Sequence, residues 1–153
     1  MGVEVGRKAP DFELLDQDGN KVRLSDFRGK ASVILAFYPG DFTPVCTKEL
    51  CDFRDDYAKF QAKGAQVIGL SIQPQESKKR FAGKLGLNFP ILADEKKEVA
   101  QAYGVMGPLG FRNRRATFVI DKQGIVRHKD LEPIALMRPK DEELLQVLDE
   151  LGS

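Results

Sequence analysis

The chain has 153 residues, 42% hydrophobic and 31% charged, which suits one domain, 1–153, with a buried core and excludes a disordered chain. Lys plus Arg number 24 against 23 Asp plus Glu; a net charge of +1 excludes a broad basic field for nucleic acid or an anionic membrane. The longest apolar run, 33–38, is far short of the roughly 20 residues that span a bilayer. The first ten residues lack the apolar stretch of a signal peptide, and Gly6 stands where myristoylation of Gly2 would want Ser or Thr. A cytoplasmic location is the expectation.

Residues 12–15 and 22–24 flank Asp18-Gly19, a strong turn dipeptide, and predict an N-terminal hairpin. The continuous apolar run 32–37 (SVILAF) predicts a strand buried on both faces, broken by Tyr38-Pro39-Gly40-Asp41. Thr43-Pro44 opens a helix, because Thr is a favoured N-cap and Pro is tolerated at the first helical position. Leu50, Phe53, Tyr57 and Phe60 continue that helix at helical spacing to a stop at Lys63-Gly64.

A second buried strand is expected over 66–72, a helix over 75–85 ending at Gly86, a short strand over 90–93, and a helix over 95–103 stopped at Gly104. The Gly- and Arg-rich loop 105–114 reads as mobile. Strands over 115–120 and 125–128 form a hairpin around Lys122-Gln123-Gly124. An amphipathic helix over 141–151 closes the chain, with Leu144, Leu145, Leu148 and Leu151 on one face. Strands separated by helices predict an α/β sandwich around a mixed central sheet flanked by helices.

Two cysteines, Cys46 and Cys51, lie five positions apart. They are too few to staple a small secreted scaffold. Zinc wants four ligands, and the single His128 lies far off and reads as a surface strand residue. A close pair in a reducing compartment favours redox chemistry over two unrelated buried thiols. With Thr43 as N-cap, Cys46 is the third helical residue, beside unpaired backbone N–H groups and the positive end of the helix dipole. Both favour a thiolate. The position alone suits equally a small hydrophobe filling a helix–sheet seam.

The segment 38–54 (YPGDFTPVCTKELCDFR) carries Pro39-x-x-x-Thr43-x-x-Cys46, which resembles the active-site signature of the peroxiredoxins, thiol peroxidases of thioredoxin-like fold with an N-terminal hairpin. Ala9-Pro10-Asp11-Phe12, Gln101-Ala102-Tyr103-Gly104-Val105 and Arg115-Ala116-Thr117-Phe118-Val119-Ile120-Asp121 extend the resemblance along nearly the whole chain. It implies that Cys46 attacks peroxide to give a sulfenic acid. It also implies that Thr43 orients the peroxide by its hydroxyl, that Pro39 shields the thiolate, and that Arg115 supplies a fixed positive charge. Arg112 and Arg114 are the alternatives to Arg115. Glu49 is expected to hold an arginine, with a surface ion pair to Lys48 or Lys63 as the competing reading.

A second cysteine five residues after the first resembles the PrxQ, or bacterioferritin comigratory, group. There the second cysteine resolves the sulfenic acid, which implies a Cys46–Cys51 disulfide. Thr43-Pro44-Val45-Cys46-Thr47 with Glu49 is closer to one-cysteine peroxiredoxins and the alkyl hydroperoxide reductase E group. The resemblance implies peroxide substrates, thioredoxin or a similar thiol reductant, no bound cofactor and no metal, and favours a monomer over a dimer. Gly104, Gly107 and Gly110 have the wrong spacing for a dinucleotide fingerprint, and Lys78-Lys79-Arg80 reads as a solvated helix face. Two competitors remain: a thiol–disulfide oxidoreductase, disfavoured because that chemistry relies on Cys-x-x-Cys, and a redox-controlled chaperone.

Overall fold

The computed structural model describes residues 3–107, 110, 112–131 and 141–151. A two-stranded hairpin comes first: β1 (Glu13–Leu15) pairs antiparallel with β2 (Lys21–Arg23), Leu14 opposite Val22. Gly19 turns the chain at φ +80, a conformation that glycine adopts without steric cost. A single 3-10 turn, Leu24–Phe27, leads into the main sheet.

The main sheet has the order β5-β4-β3-β6-β7. At its centre β3 (Ser32–Phe37) is buried along its whole length, as its unbroken apolar run requires. It pairs parallel with β4 (Ala65–Ser71), which pairs parallel with β5 (Ile91–Ala93). On its other side β3 pairs antiparallel with β6 (Ala116–Ile120), which turns back into β7 (Val126–Leu131). Phe37, the last residue of β3, therefore lies opposite Ala116, the first of β6. One end of the central strand meets the start of a strand almost 80 residues later, and the candidate site forms there.

Alternating side chains of β3 feed two cores. Val33, Leu35 and Phe37 pack with Ile68, Leu70, Tyr103 and Phe118 on one face. Ile34 and Ala36 pack on the other with Leu50 and Phe53 of α1 (Pro44–Asp55), Phe60 of α2 (Tyr57–Ala62), Phe81 of α3 (Gln75–Leu85), and Leu144 and Leu148 of α5 (Asp141–Glu150). A short α4 (Glu98–Ala102) covers the first face through Val99 and Ala100. Gly69 of β4 allows a close approach: a Cβ there would stand 2.9 Å from Ile91 Cγ2 and 3.4 Å from Tyr38 Cε1.

Three expectations change. The single helix expected from Thr43 to Lys63 is two, parted at Asp56 (φ −95, ψ 6), although Leu50, Phe53 and Phe60 keep facing one core. The helix expected over 95–103 begins only at Glu98, because Lys97 sits at φ +63 and interrupts the preceding turn. The run Lys78–Arg80 is not a uniformly solvated face: Lys79 and Arg80 are exposed, while Lys78 is fully buried. Residues 108, 109 and 111 of the loop read as mobile, and residues 132–140 before α5, lie outside the described residues.

Candidate active site

Cys46 occupies the position expected for it, the third residue of α1, with Thr43 as N-cap in an extended conformation and Pro44 at the first helical position. Proline costs nothing there, since the first N–H groups of a helix lack intrahelical partners anyway. The Cys46 thiol is 1% exposed and packs against the Leu50 and Phe53 face of its helix. Thr43 does not cap the helix with its side chain: its hydroxyl donates instead to the Gly40 carbonyl at 3.1 Å, while its own carbonyl accepts the first helical bond, from Thr47 N–H, at 2.8 Å. Pro39 is buried in the turn that leaves β3.

Arg115 enters from the residue just before β6, held there by the β3–β6 register. It is 1% exposed, and its guanidinium forks: Nη2 donates to Cys46 Sγ at 3.0 Å and Nη1 donates to Glu49 Oε1. Glu49 is wholly buried, so its carboxylate balances the guanidinium where water cannot. The surface alternatives for Glu49 are taken by others: Lys48 pairs with Asp52 at 2.9 Å and Lys63 with Asp149. Arg112 is exposed and Arg114 half-buried, so Arg115 is the arginine at the sulfur.

Cys51 lies one and a half turns further along the same helix, half-buried, and both cysteines are free thiols. On an unbroken helix, five residues separate two Cα atoms by roughly 8.6 Å, beyond the about 7 Å a disulfide tolerates. The bond requires α1 to open.

Three side chains near the site carry no local signal in the sequence. Asn113 is buried where three segments converge: its side-chain N–H donates to the Tyr38 carbonyl at 2.9 Å, and its oxygen accepts from Ile72 N–H at 3.2 Å. It ties the ends of β3 and β4 to the approach of Arg115. Asp41 and Lys78 form a second buried ion pair, 3.2 Å apart. Burial pulls the Lys78 ammonium down to about 8, against the opposing pull of Asp41, and the Tyr38 phenol is pushed well above its usual value by burial and then by Asp41. Among the described residues, no group of three or more His, Cys, Asp or Glu side chains could hold a metal ion.

A sequence profile of the AhpC/TSA family matches residues 5–129. The chloroplastic peroxiredoxin Q of Triticum aestivum is 47% identical over 127 residues, covering 82% of this chain and 58% of the relative. The chain thus spans less than two thirds of that plant protein. Peroxiredoxin Bcp of Bacillus subtilis (strain 168) is 42% identical over 130 residues, covering 81% of this chain and 82% of the relative. Among solved structures, peroxidoxin BcpB of Mycobacterium tuberculosis aligns with a TM-score of 0.89 at 35% identity, over 98% of this chain and 99% of the other.

Proposed function

The chain belongs to the AhpC/TSA family, among peroxiredoxins of the Q and Bcp type, and on that premise we propose that it is a thiol peroxidase using Cys46 as the attacking thiolate. The observation that carries this reading is the forked Arg115, donating to Cys46 Sγ at 3.0 Å while Glu49 holds its other arm. A permanent cation at the sulfur stabilises the nucleophilic form, and its fork can pass to the oxygens of an incoming peroxide. The Thr43 hydroxyl, its proton directed to Gly40, presents its oxygen to accept from the peroxide O–H. Pro39, with no N–H, adds no competing donor.

Cys46 attacks the terminal oxygen of hydrogen peroxide or an organic hydroperoxide. The S–O bond forms, the O–O bond breaks, and water or an alcohol leaves with the proton. Cys51 then attacks the sulfenic sulfur, water leaves, and the Cys46–Cys51 disulfide closes on a locally unwound α1. Thioredoxin or a similar dithiol reduces it. No bound cofactor takes part. The proposal includes a monomer rather than a dimer, and a cytoplasmic location.

The test is peroxide consumption coupled to thioredoxin, thioredoxin reductase and NADPH. The wild-type chain turns over and Cys46→Ser does not; turnover by Cys46→Ser refutes the reading. Cys51→Ser keeps one round of peroxide reduction but loses thioredoxin-driven turnover, and hydrogen exchange across 43–55 is faster in the disulfide form than in the reduced one. Normal turnover by Cys51→Ser places the protein with the one-cysteine members.

A further inference from the structure

Lys78 is a lysine with no access to solvent, and its hydrogen-bond partners belong to one network. Its Nζ donates to both carboxylate oxygens of Asp41 at 3.2 Å and to Ser71 Oγ at the end of β4. Asp41 accepts in addition from the Tyr38 hydroxyl at 2.6 Å and from Ser77 Oγ at 2.5 Å, and its backbone N–H donates to the Gln73 side chain. Two buried charges are a poor way to gain stability, since apolar residues of the same volume usually do as well. They are well suited to fixing the place of a segment.

The segment is the connection 39–43 between β3 and α1, which carries Pro39 and Thr43. Phe42, between Asp41 and Thr43, has φ +64, a left-handed conformation that a bulky residue adopts at a cost. Its ring packs on Phe81 at 4.9 Å yet remains 45% exposed, so that contact alone does not dictate the backbone. Strain of this kind persists only where the surroundings over-determine it. On one side of Phe42 the surroundings are Lys78, Ser77, Tyr38 and Gln73, all gripping Asp41; on the other, Thr43 is bonded back to Gly40.

We propose that Lys78 is a positioning residue for the peroxide step: through Asp41 it locks the left-handed turn at Phe42 and so sets where Thr43 and the first turn of α1 hold Cys46. The inference rests on the thiol-peroxidase reading. It assigns Lys78 to the loop and not to the sulfur, so its removal disturbs the geometry that peroxide needs more than the chemical reactivity of the thiol.

The two are separated by measuring two rates on the reduced full-length chain: oxidation of Cys46 by hydrogen peroxide, and alkylation of Cys46 by iodoacetamide, followed by mass spectrometry of the Cys46 peptide. Lys78→Met alone leaves the Asp41 carboxylate buried without a cation, so the variant is Lys78→Met/Asp41→Asn, which removes both charges. Peroxide oxidation falls at least fivefold while alkylation holds or rises as the loop loosens. A smaller loss, or a parallel fall in both rates, overturns the proposal. Should that variant fail to fold, Ser77→Ala removes one bond to Asp41: peroxide oxidation then falls at least twofold with alkylation unchanged, and no fall overturns the proposal. A wild-type chain whose Cys46 does not react with peroxide refutes the peroxidase reading itself, whereas a reactive wild type with equally reactive variants refutes only the role of Lys78.

Discussion

Two buried cations flank the connection from β3 to α1, and they do different work. Arg115 divides its guanidinium between Glu49 and Cys46 Sγ, so its charge reaches the sulfur. Lys78 directs its ammonium at Asp41 and Ser71, and none of its hydrogen bonds goes to the sulfur. The side chains suit these tasks. Guanidinium is planar, always charged and has donors for two partners at once, whereas an ammonium is a point charge that burial can neutralise. One pair holds charge at the chemistry; the other holds backbone in place around it.

The comparison breaks most sharply at Arg115. Arg115→Ala slows peroxide oxidation of Cys46 about a hundredfold, a loss of ~3 kcal/mol for a positioned charge at the developing transition state. Arg112→Ala, an exposed side chain, leaves the rate near wild type, and Arg115→Lys restores only part because an ammonium lacks the fork. Stopped-flow peroxide kinetics on all three checks this; equal losses at 112 and 115 refute it.

Gly69→Ala presses on the Tyr38 ring, whose hydroxyl donates to Asp41, since the new Cβ meets Ile91 at 2.9 Å and Tyr38 at 3.4 Å, with Leu50 at 3.7 Å. It costs about 2 kcal/mol of stability by overpacking, read as a lower denaturation midpoint at unchanged slope. Glu49→Gln is milder, because the amide oxygen still accepts from Arg115 but without charge. The expected loss is about tenfold in peroxide oxidation, or ~1.5 kcal/mol. Its stability falls less than its rate.

The smallest effect sharpens the Lys78 side. Folding lowers the Lys78 pKa from 10.5 to about 8, burial being the main cause. Between those values the unfolded chain holds a proton that the folded chain has released, so this group's contribution to stability rises with pH. Measured against Lys78→Met/Asp41→Asn, the wild type gains stability steadily as the pH rises from 7.5 to 9.5 in urea denaturation. A relative stability that falls over this range contradicts the shift.

What the sequence disclosed was local. Thr43-Pro44 marks the start of α1, and counting three residues places Cys46 at its N-terminus, so the thiol's helical setting is legible from a few letters. Arg115 is legible because it stands at the head of an apolar strand. The division at Asp56 is not, since the apolar spacing of Leu50, Phe53, Tyr57 and Phe60 runs across it unbroken. Lys78 lies hidden in a basic run: three adjacent charges suggest one solvated face, yet consecutive helical residues point about 100° apart, and only Lys78 turns inward. Its partner Asp41 is 37 residues away, in a turn whose composition already explains an aspartate. Asn113 is hidden for the same reason, because its partners Tyr38 and Ile72 come from two distant segments.

The antiparallel pairing of β3 with β6 also orders events in the life of the chain. Cys46 and Arg115 are 69 residues apart, and nothing brings them together before Phe37 finds Ala116 across the sheet. While the chain is being synthesised, Cys46 emerges long before its guanidinium, and the parallel β3–β4 ladder can form without it. A nascent or truncated chain ending short of β6 carries the Cys46 thiol without the cation that sits at its sulfur. Completion of the sheet is therefore what delivers the guanidinium to the sulfur.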